Sequence, residues 1–146
     1  IRCLPAALVH ETNHNVRYQF IKWTNDITLG EMLVSEGLAE NYATTVFGEE
    51  FLGPWVTKTD KELFPLIKEI IYKGMDATGL DNITAYLYGD EMAEMQHYPK
   101  VGLPYCAGYA TGYYLEKTGT AIEDATILPA EDILGAVEEF WSTDTF

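Results

Sequence analysis

His10-Glu11-Thr12-Asn13-His14 is the stretch that decides how this 146-residue chain is read. Two histidines at i and i+4 stack one turn apart on the same face of an α-helix, so their imidazoles can converge on one metal ion. Glu11 stands one residue round, near such an ion but not on it, where a general base must be to take a proton from an activated water. The pattern is H-E-x-x-H, which also arises by accident on exposed polar helices. Here Leu4, Ala6, Ala7, Leu8 and Val9 precede it and Val16, Phe20 and Ile21 follow. A helix with that flanking sequence is apolar enough to be buried, and buried imidazoles need partners. A pair of satisfied core histidines with no metal is the competing reading.

A catalytic zinc takes three protein ligands and leaves the fourth position to water. Glu36 is the strongest candidate for the third. The segment from Glu31 to Ala43 has helical apolar spacing, and Glu36 falls beside Leu33, Ala39 and Ala43, where an unpaired carboxylate is unfavourable and a bound Zn2+ would remove the penalty. Glu40 lies four residues on, on the same face, positioned to accept a hydrogen bond from the outward nitrogen of one metal histidine and so fix its tautomer. Small Gly37 and Ala39 permit close approach of another helix. The alternative for Glu31, Glu36 and Glu40 is a solvated acidic face. Arg17, seven residues after His10 and on the ligand face, would pair with Glu40 or another buried acid.

Two histidines from H-E-x-x-H and a glutamate from the following helix resemble the gluzincin metallopeptidases, and Ser35-Glu36-Gly37-Leu38-Ala39-Glu40 is similar to the second-helix signature of that group. Three blocks together, His10 to Arg17, Ser35 to Ala43 and Leu103 to Tyr114, resemble one bacterial family of predicted zinc-dependent proteases labelled a domain of unknown function. The resemblance implies a mainly α fold, a helical zincin-like metallopeptidase domain with zinc as cofactor and a peptide or protein as substrate. In zincin folds a β-sheet normally precedes the zinc helix and holds the substrate backbone by strand addition. Only nine residues precede His10 and the first is Ile1. Most or all of that sheet is therefore expected to lie upstream, with this chain the C-terminal part of a longer protein and the N-terminal region its partner.

Tyr105, Tyr109 and Tyr113 recur at i, i+4 and i+8, one face of a helix, with Gly108 and Gly112 on a neighbouring line that admits a close helix contact. The resemblance implies a tyrosine or histidine near the zinc that donates to the oxyanion. Tyr109 is the first candidate and Tyr113 the second; packing with the hydroxyls at the surface is the alternative. His97 is either an electrostatic group beside the zinc or a plain surface histidine.

Hydrophobic content of 47% and aromatic content of 13% describe a folded globular chain, of a length expected for one domain over residues 1–146. A formal net charge of -14 argues against nucleic-acid and anionic-membrane partners, which need a basic surface. No stretch is apolar enough for a transmembrane segment. Cys3 and Cys106 are too few for a disulfide scaffold and read as reduced core residues, which suits the cytoplasm.

Cap and breaker signals divide the chain into six helices without a confident strand. The zinc helix is expected from about Leu4 to Trp23, and a second from Leu29 to Phe47 between Thr28 and Gly48. Phe51 to Trp55 reads as loop, and a third helix opens after Thr59 or Asp60 and runs to Tyr72. Asn82 to Tyr88 is short and apolar and suits helix or strand, with helix favoured, and Met92 to Gly102 reads as irregular. Pro104 suits the first turn of a helix to about Thr118, and Pro129 opens the last, to about Phe140. The leading functional reading is a zinc metallopeptidase with His10, His14 and Glu36 as ligands and Glu11 as base. The other is a non-catalytic zinc-stabilised helical domain with an interaction or regulatory role.

Overall fold

The computed structural model describes residues 4–117, 119 and 122–143. Among them lie α1 (Leu4–Arg17), α2 (Leu29–Phe47), α3 (Pro54–Thr57), α4 (Phe64–Lys73), α5 (Leu80–Tyr88), α6 (Asp90–Met95), α7 (Ala107–Glu116), α8 (Ile122–Ala125), α9 (Ala130–Ala136) and α10 (Glu138–Ser142). Short 3-10 turns precede α3 and α4. No strand forms among the described residues; one isolated bridge joins Thr28 to Thr78. The mainly α reading holds.

The helix α2 organises the rest. Thr28 caps it, its Oγ1 accepting from the Glu31 amide at 3.1 Å, and Gly48 at φ 99° closes it with an amide that donates to the Thr44 carbonyl at 2.8 Å. Thirteen of its nineteen residues are buried, so it is a central helix rather than a surface one. Leu29 and Leu33 pack into one apolar cluster with Ile67, Ile71, Ile83 and Leu87. Val34 and Leu38 pack into a second with Leu115, Ile133, Val137 and Phe140. The helices α1 and α7 both lie against it.

The contact with α7 is backbone against backbone. A Cβ added at Gly37 would collide with the Gly112 carbonyl, and one added at Gly112 would collide with the carbonyl of Leu33. Gly108 meets the Leu87 Cα of α5 in the same way, its would-be Cβ 2.7 Å away. The expectation that these small residues admit close helix contacts holds.

Several expected boundaries are corrected. The first helix ends at Arg17 rather than Trp23, and the chain turns there through bonds from the Gln19 amide to the Val16 carbonyl and from the Phe20 amide to the Arg17 carbonyl. The predicted loop at Phe51–Trp55 contains the last residue of a 3-10 turn and the start of α3. Part of the predicted irregular stretch is α6, stabilised where the Asp90 carboxylate accepts from the Val101 and Gly102 amides. Pro104 lies outside α7: the Cys106 amide donates to the Tyr88 carbonyl at 3.0 Å and Asp90 to Leu103 at 2.9 Å, holding the segment against the joint between α5 and α6. Cys106 then turns through a left-handed conformation at φ 52° before α7 begins. The last helix breaks at Val137, which leaves α10 free to turn toward α4. There buried Lys68 donates to the carbonyls of Phe140 and Thr143, both at 2.7 Å. The short α8 has no counterpart in the expected elements. Cys106 is a buried free thiol, in line with its reading, whereas Cys3 lies outside the described residues.

Two stability predictions follow from this packing. Gly112→Ala should lower the stability by about 1–3 kcal/mol, because a methyl group must push α2 and α7 apart; thermal unfolding measures it, and an unchanged melting temperature refutes the contact. Glu116, 4% exposed and with neither carboxylate oxygen hydrogen-bonded, titrates from an ordinary 4.5 pushed up to about 8, by burial first and then by Glu31, against the pull of Arg17. The folded state favours its protonated form, so this contribution is full below about pH 4.5 and is lost as pH rises to about 8. Glu116→Gln should remove a pH-dependent loss on the order of a few kcal/mol, seen as a smaller fall in melting temperature between pH 5 and 8.

Candidate metal centre

Antiparallel packing of α1 on α2 matches polar side chains rung by rung. His10 Nδ1 lies 2.8 Å from Glu40 Oε1. His14 Nδ1 lies 3.0 Å from Ser35 Oγ, and two turns further from His10 the Arg17 guanidinium meets Glu31 at 2.7 Å. Between these outward contacts the two Nε2 atoms face each other at 3.0 Å. Glu36 Oε2 closes the triangle at 3.3 Å from His10 Nε2 and 3.4 Å from His14 Nε2.

These three residues are the group that can hold a metal ion among the described residues. Ligand atoms 2.0–2.2 Å from a tetrahedral zinc stand about 3.3–3.5 Å from one another, close to the separations here. The chemistry of the donors fits as well. His10 Nδ1 sits beside Glu40 and His14 Nδ1 beside Ser35, which leaves both Nε2 atoms next to a buried Glu36 oxygen that has no hydrogen-bond partner. Burial works against charge on His10, yet the Glu36 and Glu40 carboxylates outweigh it and raise its pKa to about 9. Burial also opposes the Glu36 carboxylate, but contacts with His10 and His14 hold it down to about 2. The cluster requires positive charge at its centre, which a proton or a metal cation supplies.

A family model described as Predicted Zn-dependent protease (DUF2268) matches residues 1–135. The chain belongs to this family. This DUF2268 member is 36% identical over 137 residues to "Uncharacterized protein YjfC" of Bacillus subtilis (strain 168), a match that covers 90% of the chain and 46% of the relative. It thus spans about half the length of the curated relative it matches. No solved structure matches it.

Around the cluster the DUF2268 fold brings some expected residues together and separates others. Glu11 is exposed and borders two cavities. Tyr109 is half-buried and interacts with Glu36 and Tyr88; burial first, then the Glu36 charge, pushes its phenol well above the ordinary range, so it stays a hydrogen-bond donor. Tyr113 is 1% exposed and packs edge-on against Tyr114, with the Lys117 ammonium 4.6 Å from the centre of its ring. Tyr105 precedes α7 and is exposed, so the expected stripe of three tyrosines reduces to two. His97 is exposed and borders neither cavity, which leaves the surface reading.

Arg17 pairs with Glu31, not Glu40, because in an antiparallel pair a step toward the C-terminus of α1 is a step toward the N-terminus of α2. Its Nη1 also donates to the Ala125 and Thr126 carbonyls at 3.1 and 3.2 Å. Two polar neighbours were not foreseen. Ser35 touches His14, and the Tyr18 hydroxyl lies 2.8 Å from Ser35 Oγ. Burial chiefly, with the Glu36 charge, pushes the Tyr18 phenol up to about 12. The signal was present: Tyr18 follows His14 by four residues and shares its helix face.

Glu31→Gln should destabilise the fold by about 3 kcal/mol, because it leaves a fully buried guanidinium without its direct counter-charge. Chemical denaturation checks this, and a loss below about 0.5 kcal/mol, the range of ordinary surface changes, would count against it.

Proposed function

We propose that the chain forms the metal-binding part of a zinc-dependent peptidase. The observation that carries the reading is the triangle of His10 Nε2, His14 Nε2 and Glu36 Oε2, 3.0–3.4 Å on a side, with exposed Glu11 next to it. His10, His14 and Glu36 hold the ion, Glu40 and Ser35 orient the two imidazoles, and Arg17 ties α1 to α2 beneath them. Bound there, Zn2+ supplies Lewis acidity that polarises a carbonyl and makes water nucleophilic at neutral pH.

The chain's own residues do the rest. Glu11 accepts the proton of the attacking water and delivers it to the leaving amine, so one carboxylate serves as base and then as acid. Tyr109, protonated and close to Glu36, donates a hydrogen bond to the substrate oxygen as negative charge develops on it. Such a donor is typically worth about 100- to 1000-fold in rate. Glu11 favours catalysis over a purely structural zinc site, which has no use for a base beside it and closes its fourth position with protein.

The test is Glu11→Gln in the natural full-length protein, read by zinc content, melting temperature and cleavage of a peptide library. Zinc content and melting temperature should stay near those of the parent while hydrolysis falls by at least about 100-fold. His14→Ala should lose both zinc and hydrolysis. Unchanged cleavage by Glu11→Gln removes that residue from the mechanism. Stoichiometric zinc without cleavage of any peptide makes the chain a zinc-stabilised interaction domain.

A further inference from the structure

On one side of the metal cluster lies a cavity of about 650 Å3, within the size range of sites that enclose a ligand. His10, Glu11 and Tyr109 border it on the cluster side. Phe51, Leu52 and Trp55 line it from the segment that follows α2, together with Ala43 of α2, Tyr88 of α5 and Met92 of α6. Its acidic residues are Glu11, Glu40 and Glu50, and it has no lysine or arginine. Glu40 is committed to His10 at 2.8 Å. A second cavity, about 500 Å3, opens on the other side and is lined by His14, Tyr18, Trp23 and Glu36; Glu11 borders both.

We propose that the larger cavity receives a large apolar or aromatic side chain of the substrate, adjacent to the bond that is cut. The inference rests on the peptidase reading and specifies its substrate class. An apolar side chain gains by leaving water for walls of Phe51, Leu52, Trp55 and Met92, and its ring can pack against Tyr88. An acidic side chain seated in the cavity would meet Glu11 and Glu50 with no lysine or arginine to receive it. A polar side chain would give up water for few partners. Because Glu11 lies between the two cavities, the substrate chain has room on the other side of it, toward Tyr18 and Trp23.

Two measurements on the natural full-length protein test this separately from the peptidase reading. The first is calorimetric binding of phenylalanine hydroxamate and glycine hydroxamate to the zinc-loaded protein, two chelators that differ only by a benzyl group. The benzyl group should improve affinity by at least about tenfold. In Ala43→Leu, or in Met92→Trp at the rim where folding is less at risk, the gain should shrink to under about threefold. Equal affinity for the two chelators overturns the proposal, as does tighter binding of aspartate hydroxamate. The second is the cleavage profile on a peptide library. Cuts next to large apolar or aromatic residues support the cavity's role, and cuts with no such preference overturn it while leaving the peptidase reading intact. No cleavage of any peptide overturns the peptidase reading, and with it the role assigned to the cavity in hydrolysis.

Discussion

Taking the Glu36 carboxylate out of water, to 7% exposure, is unfavourable by several kcal/mol unless donors or positive charge surround it. The helix cannot turn it outward, because its neighbours from Ser35 to Asn41 are buried too and Gly37 is pressed on α7. Compensation has to come from α1, which presents His10 and His14 at that height. Their outward nitrogens then need partners of their own, and α2 supplies Glu40 on one side and Ser35 on the other. Arg17 with Glu31 completes the series at the far end. A slip of one turn between the helices would part every rung, so the polar groups fix a register that apolar packing alone would leave loose.

The features that were legible in the sequence are those set by local chemistry. Thr28 and Gly48 bracket α2 because a capping hydroxyl and a glycine at positive φ act within a few residues. The two histidines and Glu36 could be paired in advance because an i, i+4 spacing fixes a face and an acid among apolar neighbours demands a cation. Gly37, Gly108 and Gly112 stood out for the same reason, since small residues in apolar helices mark close contacts.

What was not legible depends on distant backbone. The start of α7 is set by hydrogen bonds from Cys106 to Tyr88 and from Asp90 to Leu103, and nothing near Pro104 signals them. Tyr109 and Tyr113 share a helix face by spacing, yet one lies by Glu36 and the other is enclosed beside Tyr114 and Lys117. That separation arises from where α2 and its neighbours cross α7, which periodicity cannot give. The partner of Arg17 was open between Glu40 and another buried acid: the need for an acid is local chemistry, but the choice of Glu31 depends on the two helices running antiparallel.

The glycine contacts and the candidate chemistry are one arrangement. Tyr109 follows Gly108, which lies on the α5 backbone, and precedes by three residues Gly112, which lies on the α2 backbone. The turn of α7 that carries the phenol is therefore held on two sides by contacts that a single methyl group would disturb. Glu36 in turn precedes Gly37, the other half of the contact with Gly112. The separation of the two backbones that carry phenol and carboxylate is thus set by direct helix contact. Where a reaction depends on placement, a displacement of about 1 Å can reduce the rate by about 100-fold. Side chains large enough to fill the space between α2 and α7 would stabilise an ordinary helical core. Glycines there give up that burial for close approach of the two backbones, which suits the role proposed for Tyr109 beside Glu36.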